Sequence, residues 1–69
     1  MVEAFSERLI SLRKEKGWSK RDLAKALDVS HSTIIRWESG LQTPNMIYIY
    51  KIATLFDVTS DYLIGLQDS

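Results

Sequence analysis

Sixty-nine residues suit one small domain around a single core. With no cysteine and one histidine, the chain can build neither a disulfide framework nor a structural zinc site, which takes four thiolate or imidazole ligands. Nine basic and nine acidic side chains cancel, which excludes an evenly basic surface, but residues 1–27 carry seven bases and four acids while residues 28–69 carry two and five, so one half can still attract a polyanion.

The first helix is expected from about Glu3 to Lys16, with Phe5, Leu9 and Leu12 on one face. Gly17 ends it, and Trp18 is read as core. Ser19 is a good N-cap for a second helix whose apolar stripe is Leu23, Ala24 and Leu27. Asp28-Val29-Ser30 interrupts it, with Val29 buried in the bend, and Ser30 caps a third helix over His31 to Glu38. There Ile34 and Trp37 face inward, which leaves His31, Ser32, Ile35 and Arg36 facing outward. Gly40 supplies the left-handed stop.

Beyond it, Pro44 fits the first turn of a fourth helix with Thr43 as its cap. Met46-Ile-Tyr-Ile-Tyr alternates like a strand, yet no other segment could pair with it. Met46, Ile49, Ile52, Ala53 and Phe56 form a helical stripe, so a helix is expected. Ile47, Tyr50 and Thr54 lie off that stripe as a contact surface. Asp57-Val58 turns the chain, Thr59 or Ser60 caps a last helix from Asp61 to about Ile64, and Gly65 ends it. Val58, Tyr62 and Leu63 complete the core, and Gln67, Asp68 and Ser69 are expected to fray. No internal repeat, linker, signal-peptide run or membrane-length apolar stretch is read, so a cytoplasmic protein is expected.

Two short helices joined by a tight turn, over about residues 19–39, make the helix-turn-helix unit that lays its second helix in the DNA major groove. The segment RLISLRKEKGWSKRDLAKALDVSHSTIIRWESG, followed by TPN, KIATLFDV and SDYLIG, resembles the phage repressor and Cro-like family, also called the XRE family, from about Phe5 to Leu66. The resemblance implies an all-α, compact five-helix bundle of the lambda-repressor-like kind. It also implies a transcriptional regulator, a repressor above all, binding a near-palindromic operator on double-stranded DNA as a homodimer. The alternative is a protein-binding helix-turn-helix module such as an antitoxin or antirepressor-like partner. A catalytic role is not expected, because no face gathers paired carboxylates and a bundle this small has little volume for a substrate. No cofactor, metal or small-molecule ligand is expected either.

Base contacts are expected from His31 and Ser32, which enter the groove first, and from Arg36, placed for a bidentate contact to guanine. Ile35 would touch a thymine methyl or lie over the sugar–phosphate edge. Phosphate contacts are expected at helix N-termini: Ser19 and Lys20, Ser30 and Thr33, Thr43 and Asn45. Lys20 stands where the family often has glutamine, and Leu41-Gln42-Thr43 where relatives often have basic residues, so a shallow salt dependence is expected. Arg13 is either a solvated side chain near a helix end or, as the resemblance implies, the ion-pair partner of Glu38. Ile47, Tyr50, Thr54 and Leu66 are the candidates for the dimer contact.

Overall fold

A residue in the left-handed conformation closes every helix of the computed structural model, which describes residues 2–67. The helices are α1 (Val2–Glu15), α2 (Lys20–Leu27), α3 (His31–Ser39), α4 (Met46–Phe56) and α5 (Ser60–Ile64). Gly17, Gly40 and Gly65 close α1, α3 and α5, while Asp28 (φ 57°) and Asp57 (φ 56°) close α2 and α4. In each case the next N–H reaches back across the turn, as from Leu41 to the Arg36 carbonyl at 3.0 Å, so the end carbonyls are satisfied as a Schellman motif requires. Among the described residues there is no strand, and no helix is long and apolar enough to cross a membrane.

The starts are equally regular. Ser19, Ser30, Asn45 and Thr59 each accept a hydrogen bond from the N–H three residues on, which satisfies one orphan donor per helix. Several helix boundaries differ from expectation. Asn45, not Thr43, caps α4, and Pro44 stands before the helix rather than in its first turn; asparagine is the stronger cap. Thr59 takes the cap of α5, which starts at Ser60, and α1 begins and ends one residue earlier than its apolar spacing suggested.

The core draws Phe5, Leu9 and Leu12 from α1, Leu23, Ala24 and Leu27 from α2, Ile34 and Trp37 from α3, Ile49, Ile52, Ala53 and Phe56 from α4, and Leu63 from α5. Met46 was expected on the α4 stripe but is 73% exposed. Burial in this helix starts one turn later, and Tyr48 packs on the indole of Trp37 with ring centroids 5.6 Å apart. Trp18, Val29, Val58 and Tyr62 border the core rather than enter it; Trp18 lies against Phe56 at 5.9 Å. Buried Ser6 donates to the Trp37 carbonyl at 2.8 Å, which ties α1 to the last turn of α3.

The sequence shows no internal repeat, yet the pattern of burial recurs between two hairpins. Leu23, Ala24, Leu27 and Ile34 are buried in the α2–α3 hairpin, and Ile52, Ala53, Phe56 and Leu63 are buried at the matching positions of the α4–α5 hairpin. Asp28-Val29-Ser30 and Asp57-Val58-Thr59 form the same turn, with Val29 N–H on the Ala24 carbonyl at 3.0 Å and Val58 N–H on the Ala53 carbonyl at 2.9 Å. Only the aspartate and valine are identical between the two turns, so the recurrence lies in burial and backbone rather than in spelling. At the far end, Arg8 stacks 4.3 Å from the Tyr62 ring centroid and Nη1 donates to the carbonyls of Tyr62 and Gln67. Gln67 is therefore held, contrary to the expected fraying; Asp68 and Ser69 lie outside the described residues.

Candidate nucleic-acid interface

Helix α3 sits on the bundle by one face and is locked there by charge. Ile34, Trp37 and Glu38 are buried. Arg13 Nε donates to Glu38 Oε2 at 2.7 Å and Nη2 to Oε1 at 3.0 Å, while Nη1 donates to the Trp18 carbonyl at 2.9 Å. Both partners are buried, so this paired contact between a planar fork and a carboxylate fixes how α3 rotates about its own axis relative to α1.

The opposite face carries Ser32, Ile35, Arg36 and Ser39, all exposed, with His31 and Thr33 half-buried at its edge. Ser30 Oγ lies 2.8 Å from Thr33 Oγ1 and 3.1 Å from Ser32 Oγ, so three hydroxyls cluster where α3 begins. The first turn of α3 has no acidic side chain, and neither has that of α4, whereas α2 has Asp22 and α5 has Asp61. Unopposed N–H groups and a positive dipole end make the α3 and α4 starts the better anion sites.

At α2 the cap is already engaged. Ser19 N–H donates to Asp22 Oδ2 at 2.8 Å and Asp22 N–H donates to Ser19 Oγ at 3.1 Å, the reciprocal capping box. Those hydrogen bonds, with Lys25 contributing less, hold the Asp22 carboxyl below its usual range, so it stays charged beside any phosphate brought to Ser19 and half-buried Lys20. Thr43 and Asn45 are exposed ahead of α4, with Asn45 Oδ1 accepting from Tyr48 N–H at 3.1 Å.

The helix-turn-helix family model matches residues 9–63. The chain belongs to the helix-turn-helix family. This bears out the resemblance read from its residues, and the all-helical bundle is the fold it implied. The helix-turn-helix chain is 41% identical over 61 residues to the HTH-type transcriptional regulator AnsR of Bacillus subtilis (strain 168), covering 88% of this chain and 53% of that protein. It is 42% identical over 64 residues to the HTH-type transcriptional activator BcrR of Enterococcus faecalis, covering 93% of this chain and 31% of that one. To the HTH-type transcriptional regulator SinR of Bacillus licheniformis it is 32% identical over 65 residues, covering 93% of this chain and 59% of SinR. It thus spans between 31% and 59% of the length of these relatives. No solved structure matches it.

Within this helix-turn-helix chain, His31, Ser32, Thr33, Ile35 and Arg36 share one helix, and Ser30 starts it. Ser19 and Lys20 belong to α2, and Thr43 and Asn45 to the approach to α4. Ile47, Tyr50 and Thr54 share the exposed side of α4, and Leu66 is exposed just past α5. One residue at the interface had no role in the sequence reading. Gln42 Oε1 accepts from Arg36 Nε at 2.9 Å. The signal was present in Gly40, whose left-handed turn folds the following residues back onto the α3 carbonyls. Among the described residues no group of three or more histidine, aspartate or glutamate side chains could hold a metal ion.

Proposed function

We propose that this chain is a sequence-specific, double-stranded DNA-binding transcriptional regulator that works in the cytoplasm and reads bases with α3 in the major groove. The observation that carries the reading is the outward face of α3: Ser32, Ile35 and Arg36 are exposed in order, no carboxylate stands at its start, and the opposite face is buried. His31 and Ser32 lead into the groove, Arg36 takes guanine O6 and N7, and Ile35 meets a thymine methyl or the sugar–phosphate edge. Ser30, Thr33, Thr43 and Asn45 hold phosphates from the α3 and α4 starts, with Ser19 and Lys20 adding a third contact at α2. The regulator names of AnsR, BcrR and SinR support the same reading.

The regulator binds a near-palindromic operator as a homodimer. One domain reads only a few base pairs, and a two-fold axis sets two recognition helices about 34 Å apart. Exposed Ile47 and Tyr50, with Thr54 on α4 and Leu66 beyond α5, supply an apolar contact for the second copy. Its mode is repression by occupancy, which asks nothing of the chain beyond binding.

An electrophoretic shift against random duplexes, at about 50 and 200 mM salt, tests this. A shift retained at the higher salt and weakened by Arg36→Ala and His31→Ala is the expected result. The zero net charge favours a second reading, a protein-binding module; a shift lost entirely at the lower salt, or indifferent to both substitutions, would select it. Sedimentation at high micromolar concentration and on DNA tests the dimer, and a single-copy species in both sinks it. A reporter fused to the selected operator separates repression from activation.

A further inference from the structure

We propose that Gln42 is a positioning residue for base readout: it aims the Arg36 guanidinium and so sets how strictly the chain discriminates guanine. The inference rests on the reading that Arg36 contacts a base. Arg36 is exposed, and an exposed arginine ordinarily samples many rotamers. Here two acceptors hold it, Gln42 Oε1 at 2.9 Å from Nε and Thr33 Oγ1 at 3.4 Å from Nη2. Nε and Nη2 share one edge of the planar fork. Of five N–H bonds, these contacts leave three, both on Nη1 and one on Nη2, enough for the two parallel bonds that guanine O6 and N7 accept.

The support is covalent as well as polar. Leu41 and Gln42 N–H groups donate to the Arg36 carbonyl at 3.0 and 3.3 Å across the Gly40 turn, so the chain folds back and carries the Gln42 side chain over the arginine six residues before it. Thr33 is itself fixed by Ser30, whose Oγ lies 2.8 Å from Thr33 Oγ1. The α3 start and the α3 end therefore brace the same guanidinium. Once Oε1 accepts from Nε, the Gln42 amide nitrogen keeps both of its hydrogens for a neighbouring acceptor on the duplex.

The test uses a duplex carrying the site that the unaltered chain selects from random DNA, and the same duplex with the Arg36-dependent guanine replaced by each other base. Gln42→Leu keeps the side chain's bulk and removes the acceptor, so discrimination at that position falls by roughly five- to tenfold, as expected when a side chain must be ordered on binding. Gln42→Glu keeps an acceptor for Nε and retains discrimination, although overall affinity drops with the added charge. In an Arg36→Ala background Gln42→Leu changes nothing further at that base. Both glutamine variants melt with the unaltered chain, since the side chain is exposed. If Gln42→Leu discriminates as the unaltered chain does while Arg36→Ala does not, the positioning role is overturned and base readout by Arg36 survives. If Arg36→Ala itself leaves base preference unchanged, both fall.

Discussion

Arg13 and Glu38, twenty-five positions apart, meet through two parallel hydrogen bonds of 2.7 and 3.0 Å inside the domain. Removing one member leaves the other's charge buried and unpaired, so Glu38→Ala should lower stability by about 3–5 kcal/mol, a large share of what so small a domain has. Replacing both, as Arg13→Met with Glu38→Leu, should recover most of that loss. Urea unfolding of the single and double variants measures it; a single variant within about 1 kcal/mol of the unaltered chain would show that the pair orients without stabilising.

The left-handed aspartates give a prediction of opposite sign. Asp28 and Asp57 carry a Cβ in a backbone region that disfavours one, and a carboxylate at the negative end of a helix. Glycine removes both penalties and adds freedom to the unfolded chain, so Asp28→Gly and Asp57→Gly should each raise stability by about 0.5–1 kcal/mol net. At Gly65 a Cβ would lie 2.6 Å from the Ala4 Cβ at φ +90°, so Gly65→Ala should lower stability by about 1–3 kcal/mol. Unfolding midpoints of the three variants suffice, and a destabilised Asp57→Gly would refute the strain argument.

Salt should distinguish this interface from a strongly basic one. Among the proposed contacts only Lys20 and Arg36 carry full positive charge. With each chain releasing one or two counterions, log–log salt dependence of a dimer should have a slope of about −2 to −4. Titrations at several salt concentrations give the slope directly. A value near −8 would mean that other basic side chains of α1 or α2 reach the phosphates.

Acid should act on the α2 start. The Asp22 carboxyl titrates below its unfolded-state value of 3.8, chiefly because it accepts the Ser19 N–H. A depressed folded-state value means that the contribution is present in full above the unfolded value and disappears as pH falls through the folded one. The stability difference between the unaltered chain and Asp22→Ala should hold steady from neutral pH down to about 5, then narrow below 4. Denaturation at a series of pH values checks this, and a constant difference down to pH 2 would contradict the capping-box account.

Much of this was legible in the chain because caps and stripes agree. Ser19 and Ser30 precede clean apolar periods, and Gly40 follows one, so α2 and α3 could be placed within a residue or so of where they lie. The α4 start was harder. Met46 and Pro44 look like helix openers locally, while the cap competition that Asn45 wins and the position at which α4 meets Trp37 depend on neighbours far along the sequence. Ser6 escaped notice because its partner is a backbone carbonyl, which leaves no trace in residue type. Gln42 was read only for the charge it lacks, although the turn at Gly40 determines what it touches.

The two hairpins bury apolar side chains at matching positions and differ in what they turn outward, with Asp61 in α5 standing where α3 has Ser32. Packing is therefore indifferent to what is written on the outer rows. On the proposed reading, exchanging Ser32, Ile35 and Arg36 should readdress such a chain to a new duplex text while its melting behaviour stays put, so that the vocabulary of targets is free to drift under a frame that does not.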